Sequence, residues 1–431
     1  MDGDPNDLQL LVASATHEVE ALRDDPRLAP LPGNRGSALR DHVLDLLGAV
    51  EHRIQQQPAA ETPQAVRSAF ARSLRQSIVV LRGAHAALPW LAATRSPTLN
   101  LGSLYMTEEC ARVLVGADVD LVVVPNADYM YSTTSWPFGA VIDSTSGFKA
   151  KATRRPIVLN YPLTDSDRLL IHPIFAHELG HASVNEHDLV QQVESALSAD
   201  AAFVTAFQTA VVTMGTTWTS SPSTIAGTLR TYLRGWVEEL LCDHLAIEAM
   251  GPAFLWAFVP FVVPLSYGEP GPSHPPNTLR LRFAIDHLDR RGWRPYMQRV
   301  APNVTMWLDS IAADAGAALP THFNFLRDEL LTHANVLQDA AIARAGPDTL
   351  DRSIAEPEGD EAAQLLERLI LPVGLTRALQ PRSILLGGWQ EGLREHGDSP
   401  EGIVTALSDS RLQDLVGKAI EMSVVSAAWA L

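Results

Sequence analysis

The sequence predicts a mainly helical α+β fold, with a small sheet beside a metal-binding helix and helical N- and C-terminal regions. Three patterns predict it. Apolar stripes at helical spacing fill the chain before residue 100, short β-branched runs appear between 119 and 161, and helical patterning returns after 290. With 431 residues the chain is long enough for two or three domains and a large buried core. Composition and patterning place the boundaries at 1–100, 101–292 and 293–431.

Taken in order, Asp4-Pro5 and Thr62-Pro63 read as N-cap and first-turn pairs, and Ser37 as the cap of another helix. Leu39, Val43, Leu46, Val50 and Ile54 repeat at helical spacing, as do Val66, Phe70, Leu74, Ile78 and Leu81. These stripes predict an antiparallel helical bundle with loops at 25–36 and 57–63; one of its helices could instead bind a regulatory partner. Val119–Val124, Gly139–Asp143 and 156–161 read as strands, the first two separated by a polar aromatic loop from Asn126 to Trp136. Beyond 290, Ala355–Glu361 reads as an exposed acidic loop, with Gly387-Gly388 and 397–400 as breaks near the end. No repeat stands out.

The net charge of −17 argues against a nucleic-acid or anionic-membrane surface and for a soluble acidic protein. Only Cys110 and Cys242 are present, which predicts no disulfide framework and a reducing compartment, the cytoplasm. The N-terminal residues lack the charged and apolar regions of a signal peptide. The most apolar stretch, 249–265, contains Pro252, Pro260 and Pro264, so it reads as a buried helix under the site rather than a membrane span.

The chemistry concentrates in His177-Glu178-Leu179-Gly180-His181, an HExxH signature. On a helix the two histidines lie one turn apart on one face and can grip one Zn²⁺, with Glu178 placed to take a proton from the bound water. Pro156–Tyr161 supplies a strand before it, 164–167 supplies capping side chains, and the apolar run 169–176 leads into the motif.

A zinc site of this kind needs a third protein ligand. Glu239 lies on a helix introduced by Ser221-Pro222, with Asp243 four residues on and therefore on the same face. Glu239 would ligate the metal, and Asp243 would accept the far N–H of a ligand imidazole. His187 competes, six residues after His181 as in metzincins, with Met214 as a candidate Met-turn. Metzincins break the helix at a Gly midway, where this chain has Val184, which resists φ > 0. That favours Glu239; Met214, in an apolar helix, is more simply core.

HELGH, Glu238-Glu239 with Asp243, Gly251-Pro252-Ala253-Phe254, and Ser273-His274-Pro275-Pro276 followed by Arg280 and Arg282 together resemble the gluzincin metallopeptidases. The nearest branch is the CAAX-prenyl-protease-like and HtpX-like one, which carries a similar HPxxxxR segment. The resemblance covers about residues 155–290. Its membrane-bound members have transmembrane helices and this chain has none, so their prenylated substrates are not expected here. The resemblance implies a zinc-dependent peptidase acting on a peptide or protein, with His177, His181 and Glu239 as ligands, Glu178 as base and Asp243 as the orienting acid. His274 would donate to the oxyanion, or else cap the helix that follows; Arg280 and Arg282 would anchor acidic neighbours or a substrate carboxylate, or else face solvent. It also implies a sheet edge that takes extended substrate by backbone pairing. From a different class, a regulatory or scaffold protein with a structural or sensing zinc site fits the same motif.

Overall fold

The computed structural model describes residues 5–29, 36–93, 99–128, 130–134, 138–262, 270–313, 319–346, 349–371 and 378–429. The helices before the metal motif are α1 (Pro5–Arg23), α2 (Ser37–Gln55), α3 (Gln64–Ala93), α4 (Leu101–Leu114) and α5 (Phe138–Asp143). The strands are β1 (Val119–Asn126), β2 (Ser132–Thr134) and β3 (Arg155–Pro162). Next come α6 (Ile174–Glu186), α7 (Leu189–Ala199), α8 (Ala201–Gly215), α9 (Pro222–Met250), α10 (Pro252–Val262) and α11 (Asn277–Arg290). The C-terminal helices are α12 (Arg294–Val300), α13 (Pro302–Ala313), α14 (Thr321–Thr332) and α15 (Ala334–Ala345). They continue with α16 (Arg352–Glu367), α17 (Pro381–His396), α18 (Pro400–Ser408) and α19 (Ser410–Trp429). A mainly helical α+β fold is what the chain forms.

Contacts divide it into two compact units, residues 1–98 with 118–163, and residues 99–117 with 164–431. The chain leaves the first unit at residue 99, close to the boundary drawn at 100, but returns to it at 118–163, and no division falls near 292. Helix α4 packs on α6 and α19 within the second unit. In the first unit, β1 runs parallel to β3 and β2 antiparallel to it, in the order β1-β3-β2. Val122, Val124 and Val158 pack into one core with the apolar stripes of α1, α2 and α3. Arg53 is buried there and donates to Ser77 Oγ at 2.7 Å, Thr145 Oγ1 at 2.7 Å and Ser144 Oγ at 3.0 Å. Neutral acceptors alone thus satisfy a buried cation, and burial lowers its pKa.

In the second unit α9 is the axis. Ser221 Oγ caps it by accepting from Thr224 N at 3.2 Å, and Trp236–Met250 is buried apart from half-buried Glu238. Helices α6, α7, α8, α10, α11 and α15 all pack on it. No single helix among the described residues is long and apolar enough to cross a membrane; α7 and α8 satisfy that test only as a pair, bent by 92°.

Several elements differ from expectation. Gly139–Asp143 is helical, part of α5, because Phe138, Val141, Ile142 and Thr145 form an i, i+3, i+4, i+7 stripe that buries. The loop expected at 126–136 contains β2; Tyr129 and Trp136 lie outside the described residues. Gly36, in the left-handed region, is the N-cap of α2, and Ser37 is its first residue. No side chain caps α6, whose N-cap is Pro173. The acidic segment 355–361 is no loop but part of α16. Arg299 pairs with Glu356 and Asp360, each at 3.0 Å, and Glu358 is buried accepting from Gln380 N. Gly387 and Gly388 lie inside α17, where a Cβ on Gly387 would strike α16.

Candidate metal centre

Helix α6 presents His177 and His181 one turn apart, and α9 presents Glu239 opposite them. The two helices approach closely because residue 180 is glycine: a Cβ there would stand 3.1 Å from Cys242 Cα. Ligating atoms of His177, His181 and Glu239 all lie within 4.8 Å of one another. His177 Nε2 is 3.5 Å from Glu239 Oε2, and His181 Nε2 is 3.6 Å from Glu239 Oε1. These separations are long for hydrogen bonds but match the edges of about 3.3 Å expected between tetrahedral ligands at zinc bond lengths.

Each imidazole has its own carboxylate behind it. His177 Nδ1 is 2.9 Å from Asp243 Oδ1, and His181 Nδ1 is 3.0 Å from Glu238 Oε1. The Nδ1–H therefore donates outward and Nε2 is left to face Glu239, the tautomer a metal site requires. Arg280 on α11 holds the buried carboxylates in place. Its Nε and Nη2 donate to Asp243 at 2.8 and 2.7 Å, and its Nη1 lies 3.3 Å from Glu239 Oε2. Beneath, Phe254 of α10 stacks on the His177 ring with centroids 6.4 Å apart.

The electrostatics follow from these partners. Burial alone would pull His177 down, but Asp243 and Glu239 outweigh it and push the imidazole up to about 10. Burial likewise works against ionised Glu239, yet Arg280, His177 and His181 hold its carboxyl well below the usual range. The centre attracts positive charge, and a proton and a metal ion compete for it.

No protein-family model matches the chain, and no curated protein or solved structure shows detectable similarity to it. What the centre does must therefore be argued from its own residues.

The structure brings His177, His181, Glu239 and Asp243 together, with Glu178 half-buried beside His177 on α6. His187 is the C-cap of α6 and is not in the ligand group; the helix runs unbroken through Val184, and the left-handed residue comes only at Asp188, with φ 50°. Met214 is core, packed with Ala210, Ile225 and Leu229. His274 does not cap α11, whose N-cap is Pro276. It stands with Nε2 3.4 Å from Glu239 Oε1 and Nδ1 2.8 Å from Ser273 Oγ, its side chain 62% exposed. The loop reaches there because residue 235 is glycine, where a Cβ would lie 2.7 Å from Ser273 Cα. Arg280 anchors acidic neighbours, whereas Arg282 pairs with Asp286 on an exposed face. Sequence reasoning missed Glu238. The signal was present: two ligand histidines need two outer acceptors, and Glu238 was the remaining carboxylate beside the site.

Proposed function

We propose that the chain is a zinc-dependent metallopeptidase of gluzincin type, acting in the cytoplasm on a peptide or protein. The observation that carries this reading is the three-residue donor set of two imidazoles and one carboxylate, each imidazole backed by its own acid, beside Glu178. Two nitrogens and one oxygen are the donors of catalytic zinc sites that keep a fourth position open. Bound there, zinc would supply a Lewis acid that polarises a carbonyl and eases deprotonation of water. Glu178 acts as general base toward the attacking water and returns the proton to the leaving amine. Asp243 and Glu238 hold the imidazoles in register, and Arg280 keeps two buried carboxylates ionised together. His274 donates to the developing oxyanion from the solvent side. Cys110 and Cys242 are buried free thiols, which suits a reducing compartment.

A structural zinc site is the second reading. His274 Nε2 lies 3.4 Å from Glu239 Oε1, outside the group whose ligand atoms all lie within 4.8 Å of one another, and would have to shift toward the two histidines to become a fourth ligand. One experiment separates the two. The zinc-loaded chain is assayed against a quenched-fluorescent peptide library, and zinc is counted by elemental analysis. Glu178→Gln is expected to keep one zinc and lose hydrolysis by about a hundred- to ten-thousandfold, and His274→Ala to keep its zinc with slower turnover. Zinc lost from His274→Ala, with no peptide cleaved by the unaltered chain, establishes the structural site instead.

A further inference from the structure

A cavity of about 820 Å³ opens between α7, α8 and α9 in the same unit as the metal centre, within the size range of ligand sites. Phe203, Phe207 and Val211 of α8 and Leu233 of α9 form its apolar wall. Residues 201–229 contain no charged side chain, in a protein with 50 acidic and 33 basic residues. Two guanidinium groups stand at this wall. Arg234 is paired with Glu194 at 3.1 Å, so the two nearly cancel. Arg230 is exposed, lies 5.7 Å from the centroid of Phe207 and has no carboxylate partner among the described residues. The cavity therefore has an apolar wall on α8 and α9, polar side chains (Gln191, Ser195, Ser198 and Gln208) elsewhere in its lining, and one uncompensated cation at its rim.

Its position links it to the metal centre. Arg230, Arg234 and Glu238 follow one another at four-residue spacing, so they share one face of α9, and Glu238 touches His181. At 1.5 Å per residue, Arg230 sits roughly 12 Å along the helix from Glu238, the residue of its own face that touches His181, whereas Glu239 projects from another side of α9. An extended peptide of about four residues covers that distance.

Resting on the peptidase reading, we propose that this cavity is a substrate subsite. It takes a bulky apolar side chain that carries a carboxylate beside it, about four residues from the bond to be cleaved. Phe203, Phe207, Val211 and Leu233 bury the apolar group, and Arg230 binds the carboxylate across the Phe207 ring. The carboxylate is either an Asp or Glu side chain or the free end of the peptide.

Fluorescein-labelled hexapeptides test this by anisotropy on the full chain, independently of cleavage. Four are compared: Phe followed by Asp, Phe followed by Asn, and peptides ending in Phe with a free carboxylate or an amide. The carboxylate form of one pair or both is expected to bind about tenfold tighter than its neutral partner, the size of a charge-assisted hydrogen bond. Whichever pair shows the difference identifies the source of the carboxylate. Arg230→Gln, an exposed change that should leave folding intact, is expected to erase the preference. For cleaved carboxylate peptides it should raise KM with kcat unchanged. Val211→Trp, which fills the cavity, is expected to weaken all four peptides. Equal binding within both pairs, or a preference that survives Arg230→Gln, overturns the subsite. So does capture of the chain by neutral phosphatidylcholine vesicles through α8, which would make the uncharged face a lipid contact. Failure of the peptidase reading looks different: the peptides bind with the stated preference and none is cleaved.

Discussion

At the residue scale, the centre is an arrangement in which removing one charge exposes another. Asp243 is buried between His177 Nδ1 and the Arg280 guanidinium. Asp243→Asn would therefore disturb a metal held at the proposed centre and also leave Arg280 buried with half its partner, which costs on the order of 3–5 kcal/mol when a buried pair is broken. Glu238 is the cleaner probe, since it is half-buried and pairs with His181. Glu238→Gln is expected to weaken zinc binding by about ten- to a hundredfold, as outer acceptors do, with little change in the thermal midpoint. A zinc affinity equal to that of the unaltered chain, read by competition with a chelating dye, removes Glu238 from the site. The third ligand is tested as directly: Glu239→Ala is expected to lose zinc at neutral pH and His187→Ala to retain one per chain. Elemental analysis giving the opposite pattern moves the site to the far end of α6.

At the element scale, two glycines set the approach of backbones that carry the site. Gly235→Ala adds a methyl where Ser273 Cα would be 2.7 Å away, so the loop with His274 must shift. The overpacking costs about 1–3 kcal/mol, part of which the better helix propensity of Ala, worth about 1 kcal/mol, offsets. Zinc content is expected to stay at one per chain while kcat falls as far as it does in His274→Ala. If Gly235→Ala turns over normally, His274 does not need the position described. Such approaches explain what the sequence disclosed and what it withheld. The metal helix, α9 with its Ser221 cap, and the buried character of 252–259 were legible because each depends on local periodicity or capping. Helix α5 was misread because six residues with Val and Ile satisfy strand propensity as well as a helical stripe. Helix α16 was misread because Glu356 and Asp360 pair with Arg299 and Glu358 accepts a hydrogen bond from Gln380 N, partners distant in sequence. The role of Arg280 was equally hidden, since only the packing of α11 on α9 selects it over Arg282.

At the scale of the whole molecule, buried neutral imidazoles couple folding to pH. His172 is fully buried, its ring stacked on Phe175 at 4.5 Å and its Nε2–H donating to the Asp165 carbonyl at 2.9 Å. Burial pulls its pKa down to about 4, and it pulls His287 down to about 3 beside Glu248. A depressed histidine binds its proton in the unfolded chain first. Between about pH 6.5 and pH 4 the unfolded state therefore holds more protons, and stability falls as pH falls through that window. For His172 alone, the drop from 6.5 to about 4 amounts to ~3 kcal/mol by pH 4. Loss of a zinc ion bound at the proposed centre would run the same way, since ligand imidazoles protonate as a metal leaves. The two are separable by adding a chelator. In the metal-free chain the thermal midpoint is expected to decline from pH 6.5 to pH 4. His172→Gln, which keeps an N–H donor without a titrating ring, is expected to flatten that decline by a few degrees. An identical slope in the two metal-free proteins would show that His172 takes its proton without unfolding the unit. The decline would then belong to other buried imidazoles such as His287, because Glu239 and Asp243, held below the usual carboxylate range, give up their contribution only at lower pH.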